Sequence, residues 1–103
     1  MITSEADLER DARIALACLD LTSLNHGDTE ADIGRLVARA ASPSGPVAAV
    51  CVWPRFVAYS RARLPAPIRV AAVANFPDGS EDAVRAVRET RAIVDAGGDE
   101  VDV

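Results

Sequence analysis

Along this chain, segments with apolar residues at helical spacing alternate with short unbroken apolar runs. Leu8, Ala12, Ala15, Leu16 and Leu19 recur at helical intervals and predict a first helix. Ser4, with Asp7 three residues later, resembles a capping box at its start. "LDLTSLNHGDT" then reads as a polar connection. A second helix is expected to open at Asp28 or Thr29, with Glu30 and Asp32 in the first turn, where carboxylates suit the helix dipole. Its apolar face is Ile33, Leu36, Val37 and Ala40, and the breakers in "SPSGP" end it. "VAAVCVW", residues 47–53, is apolar throughout, as a strand buried on both faces is. Pro54 closes that strand and opens a short helix packed by Phe56, Val57 and Leu64. "IRVAAVA", residues 68–74, repeats the buried-strand pattern, and "NFPDGS" is a turn. Ser80 is the expected N-cap of a third well-marked helix. Val84, Val87 and Val94 fall near one face of that helix, and Gly97 and Gly98 end it before the strand "DEVDV".

Strands that alternate with helices form parallel βαβ units. Parallel strands buried on both faces belong to doubly wound sheets or to eight-stranded barrels. A doubly wound sheet usually carries a glycine-rich turn after its first strand, whereas this turn is "WPRF". The fold class expected is therefore α/β, a TIM (β/α)8 barrel cut to an N-terminal helix region plus the first three strands. Residues 1–103 form one incomplete domain in this reading, since such a barrel takes about 250 residues. The halt at Val103, directly after Asp102, fits an opening portion.

Composition narrows the chemistry. The 103 residues carry a formal net charge of -5, against nonspecific binding to nucleic acid or an anionic membrane. No apolar run reaches the roughly 20 residues of a membrane span. All 11 basic residues are Arg, and a guanidinium stays protonated, so no side-chain amine here can form a Schiff base. Cys18 and Cys51 form no CxxC pair, and the start "MITSEADLER" is acidic and polar; both suggest a cytoplasmic protein.

Asp102 leads the candidate residues. In "EVDV" the side chains alternate, so Glu100 and Asp102 share a face. Two readings are open: an edge strand with its acids in water, or a carboxylate turned into a barrel lumen as a general acid or base. Asp20, Thr22 and Asn25 alternate with leucines and either cap a helix end or line a pocket. Cys51 is a small core residue or a lumen thiol. Asn75 starts a turn, or stands at the carboxyl end of its strand, where barrel enzymes place their sites. His26 is alone, so no metal site is expected; it reads as an exposed loop residue, with Trp53 and Arg55 in packing and loop roles.

Four stretches in order, "LDLTSLNHGDT", "AAVCVWPRFV", "IRVAAVANFPDG" and "TRAIVDAGGDEVDV", resemble the 2-deoxyribose-5-phosphate aldolase family. The resemblance implies reversible cleavage of 2-deoxy-D-ribose 5-phosphate to acetaldehyde and D-glyceraldehyde 3-phosphate. It implies a lysine imine, with a second lysine lowering the pKa of the first and an Asp moving protons through water. It implies no cofactor, a small sugar phosphate as the partner, and a homodimer. That Asp corresponds to Asp102, while Asp20, Thr22 and Cys51, and more weakly Asn75, correspond to the pocket lining. The lysines correspond to later strands, so these residues alone are expected to be inactive. Two other readings are a non-catalytic half-barrel that self-associates or docks with a complementary fragment, and a different Schiff-base enzyme of the wider aldolase superfamily.

Overall fold

A computed structural model describes residues 4–103. The elements are α1 (Glu5–Ala17), β1 (Asp20–Thr22), α2 (Glu30–Ala40), β2 (Ala41–Ser42), β3 (Gly45–Pro46), β4 (Ala49–Val52), a 3₁₀ turn (Pro54–Phe56), α3 (Val57–Arg63), β5 (Arg69–Val73), α4 (Ala83–Asp95) and β6 (Glu100–Asp102). Four strands form one parallel sheet in the order β1-β4-β5-β6. Helices cover one of its faces, as βαβ crossovers of one hand require. The sheet therefore has one strand more than the sequence predicts. The extra strand, β1, lies inside "LDLTSLNHGDT", which is thus not simply a polar connection. "SPSGP" folds into the two-residue hairpin β2–β3, with Gly45 at φ 126°, a value that favours glycine.

The core lies between sheet and helices. Ile33, Leu36, Val37 and Ala40 of α2 are all buried there, as are Phe56, Val57 and Leu64. Val50, Val52, Val70 and Ala72 point into it from the sheet and are fully buried. Each buried Val or Ile of this kind contributes roughly 1.5–3 kcal/mol. At the start of α2, Thr29 and Asp32 form a reciprocal capping box, and Arg35 pairs with Asp32. Ser4 caps α1 by accepting the Asp7 N–H; the reciprocal bond of a capping box is not among its contacts.

Two helix faces differ from expectation. No residue of α1 is buried, and Leu8 is 58% exposed. On α4 the buried residue is Ile93, while Val84, Val87 and Val94 are 75%, 53% and 58% exposed. The valine stripe of α4 therefore faces away from the core. The N-cap of α4 is Asp82, which accepts the Arg85 N–H, rather than Ser80, whose hydroxyl bonds to Asn75. At the other end, Gly97 at φ 97° and Gly98 donate N–H groups to Val94 O and Ile93 O. A Cβ on Gly98 would stand 2.5 Å from Ile93 Cγ2 and 2.9 Å from Ile93 O, so only glycine lets the chain turn this tightly into β6.

Candidate functional site

Register decides which side chains share the uncovered face of the sheet. Asp20 and Thr22 stand beside Ala49 and Cys51; Cys51 stands beside Ala71; Val73 stands beside Asp102. Because side chains alternate along each strand, Asp20, Thr22, Ala49, Cys51, Ala71, Val73, Glu100 and Asp102 all project from the side opposite the helices. Small residues form the middle of this face and polar residues its flanks. A concavity of about 370 Å³ opens there, lined by Asp20, Thr22, Leu24, Cys51, Val73, Phe76, Asp102 and Val103. Four of the five site residues that the family resemblance implies thus meet in one depression at the carboxyl end of the strands. Larger grooves lie on the outer faces of α1 and α4 and hold none of these four.

Asp102 is exposed on this open face. Its backbone carbonyl accepts from Ala74 N–H at 2.9 Å, which fixes the strand end. Its carboxylate has no hydrogen bond or ion pair among the described residues. Thr22 Oγ1 donates to the carbonyl of Asp20 at 3.0 Å. Cys51 is a free cysteine, 5% exposed. Burial pushes its thiol pKa up to about 11, and the nearby charges of Asp102, Asp20 and Glu100 add to the shift. The thiol is therefore protonated at neutral pH, and the three carboxylates act on one point. Among the described residues, no group of three or more potential ligands is placed to hold a metal ion.

Two loops form the rim. After β1, Asp28 accepts from Ser23 Oγ at 2.7 Å and from Asn25 N–H at 3.2 Å, closing the loop on itself. Trp53 Nε1 donates to Asn25 O at 3.0 Å and ties this loop to the end of β4. The exposed His26 ring stacks on Trp53 at 5.5 Å, and Phe76 meets Trp53 edge-on at 5.5 Å. Arg55 lies over Trp53 and Phe56. Phe76 is a wall of the depression that the sequence reading passed over. The available signal was an aromatic residue in the turn directly after a buried strand.

Asn75 does not line the depression. It is buried at φ 54°, its Nδ2 donates to Ser80 O and its Oδ1 accepts from Ser80 Oγ. It builds the turn, which is the plainer of its two readings. Glu89 accepts both the Asn75 N–H and Arg85 Nε, while Arg85 reaches Asp78 at 2.9 Å and Phe76 O at 3.2 Å. Asp78 is held below the usual carboxylate range, first by its bond from Arg85.

Solved structures share this fold. A candidate deoxyribose-phosphate aldolase from Toxoplasma gondii ME49 is 25% identical over 97% of the chain, with a TM-score of 0.81. Another, from Coccidioides immitis, is 24% identical over 98%, with a TM-score of 0.73. The deoxyribose phosphate aldolase of Aeropyrum pernix, whose structure is tetrameric, is 21% identical over 97%, also at 0.73. The chain resembles the N-terminal part of deoxyribose-phosphate aldolases. Its four-stranded parallel sheet is the corresponding part of a (β/α)8 barrel. It spans 38%, 47% and 45% of those three chains, in the order given. No family model matches it. No helix among the described residues is long and apolar enough to cross a membrane.

Proposed function

We propose that this chain forms the N-terminal wall of a class I aldolase site that reversibly cleaves 2-deoxy-D-ribose 5-phosphate to D-glyceraldehyde 3-phosphate and acetaldehyde. The supporting observation is the shared depression of Asp20, Thr22, Cys51 and Asp102 at the carboxyl end of a parallel sheet. In this reading a lysine amine outside these residues forms an imine with the substrate carbonyl. The iminium withdraws electrons, so the carbon–carbon bond breaks and the electron pair passes into an enamine. Asp102 takes and returns the proton through water. Thr22 and Asp20 offer hydrogen bonds to the sugar hydroxyls. Cys51, protonated and shielded, packs beside them as a small neutral surface. Neither metal nor organic cofactor takes part. The protein is assigned to cytoplasmic deoxyribonucleotide catabolism, and the complete enzyme to a homodimer.

The test is a chimera that joins this chain to the remaining strands of the Aeropyrum pernix aldolase. Borohydride with substrate is expected to fix a mass adduct on a lysine of the added portion. Asp102→Asn is expected to keep the adduct and lower cleavage about 10²-fold or more, the scale of general acid–base catalysis. Cleavage by the chain alone, or full cleavage by the Asp102→Asn chimera, overturns the proposal.

A further inference from the structure

One cluster of charges serves neither the core nor the reaction proposed above. Arg85 lies in the first turn of α4, where its N–H is tied to the N-cap Asp82. Its side chain folds back over the turn between β5 and α4. Nε donates to Glu89 Oε1 at 2.7 Å, and Nη1 donates to both Asp78 oxygens at 2.9 and 3.1 Å. Nη2 donates to Phe76 O at 3.2 Å. Every nitrogen of the guanidinium is therefore engaged. Glu89 also accepts the Asn75 N–H at 3.3 Å. The turn is thus fastened to α4 on both sides of Phe76, at Asn75 through Glu89 and at Asp78 through Arg85.

These are not loose surface pairs. Arg85 and Glu89 keep only 28% and 25% of their side chains exposed. Asp78 is held below its usual carboxylate range and Arg85 above its own, each first by the hydrogen bond between them.

The turn closes without this fork. Gly79 N–H donates to Asn75 O at 2.9 Å, and the Asn75 and Ser80 side chains bond to each other. Those contacts bracket Phe76 and do not hold it. Among the described residues, Phe76 O accepts from Arg85 alone. The Phe76 ring is 36% exposed, so burial restrains only part of it. Yet this ring meets Trp53 edge-on and, with Leu24 and Val73, forms the apolar lining of the depression that holds Asp20, Thr22 and Asp102. A wall so placed needs an anchor, and α4 supplies it through one side chain.

We infer that Arg85 is a positioning residue that fixes Phe76 as the apolar wall of the substrate depression, by holding the Phe76 carbonyl and its flanking turn on α4. Arg85 does not line the depression itself. A lysine at this position keeps a point charge for Asp78 but loses the planar fork that reaches three residues at once. The placement of Phe76 by Arg85 stands on these contacts; its use as a wall for substrate rests on the aldolase reading.

Trp53 is the one tryptophan, so acrylamide quenching of its emission reports the Phe76 contact in the chain itself. Arg85→Lys is expected to raise the quenching constant about twofold with the far-ultraviolet circular dichroism retained, because a displaced ring uncovers the indole edge. Asp78→Ala, at an exposed position, frees the same guanidinium by another route and is expected to act in the same direction. Phe76→Leu is expected to raise quenching too, and adding Arg85→Lys to it should change nothing further, the non-additivity of residues that act through one another. In the chimera with the Aeropyrum pernix strands, Arg85→Lys is expected to raise KM for the sugar phosphate about fivefold at nearly constant kcat, as loss of uniform binding does. In the Phe76→Leu background it should leave KM where it was. Quenching unmoved by both Arg85→Lys and Asp78→Ala, or raised equally with and without Phe76, overturns the placement. Quenching that rises while KM of an active chimera stays fixed overturns the wall. A chimera that traps no imine counts against the aldolase reading and the wall that rests on it, and the quenching cycle still decides the placement.

Discussion

Cys51 provides a direct measurement of how the open face is arranged. Its thiol is pushed from 9.0 to about 11, by burial first and then by Asp102, Asp20 and Glu100. A thiol attacks as thiolate, so a pKa two higher lowers the reactive fraction at neutral pH about a hundredfold. The side chain is also only 5% exposed, which slows reagents further. Cys18 is exposed on the same chain and serves as an internal reference. With iodoacetamide at pH 7.5 and peptide mass spectrometry, Cys51 is expected to alkylate at least a hundredfold more slowly than Cys18. Asp102→Asn removes the largest of the three charge contributions and must lower the pKa, so the Cys51 rate should rise by a few-fold. The rise has to be confined to Cys51. Equal rates at the two cysteines, or a Cys51 rate unmoved by Asp102→Asn, would falsify the placement of Asp102 and Cys51 on one face.

The Ser60 hydroxyl is fully buried with no hydrogen-bond partner among the described residues, so Ser60→Ala should raise stability by about 1 kcal/mol in urea denaturation; a loss of stability contradicts the burial argument. Gly98→Ala drives a Cβ against Ile93 and its carbonyl, and a loss of about 1–3 kcal/mol is expected; an unchanged denaturation midpoint refutes the close approach. Asp32 is held below 3.8, first by the Thr29 N–H and then by the Thr29 hydroxyl. A depressed carboxyl stabilises the fold above its unfolded pKa and loses that effect as pH falls through the folded one. Asp32→Asn should therefore lower the melting temperature at pH 7, and the gap should close below pH 3.8; a gap that persists in acid points to another cause.

What the sequence reveals here is what local chemistry dictates. The α2 face, the buried runs of β4 and β5, the turn at Pro54 and the Gly97–Gly98 exit all follow from period, breakers and caps, and all are present. β1 escapes because it has three residues and an open side, so two of its side chains are polar and no apolar run marks it. Periodicity finds the apolar stripes of α1 and α4 but cannot say whether anything covers them. In α4 a single inward Ile93 with Glu89 and Thr90 half-buried faces the core, while the more conspicuous valines face out. Ser80 and Asp82 are equally good caps by type, and the contest is settled by Asn75, which takes the Ser80 hydroxyl. The grouping of Asp20, Thr22, Cys51 and Asp102 depends on strand register, which spacing along the chain does not encode; the family resemblance supplied it. Phe76 joins them only because the turn after β5 brings its ring against Trp53.

That ring contact gives the molecule a built-in optical signal. The chain has one tryptophan, and its indole sits at the rim, braced by His26 on one side and Phe76 on the other. Anything that enters the depression and displaces Phe76 changes the surroundings of the only strong fluorophore. Occupancy can then be followed by emission alone, without a label, in the bare chain as well as in any assembly that includes it.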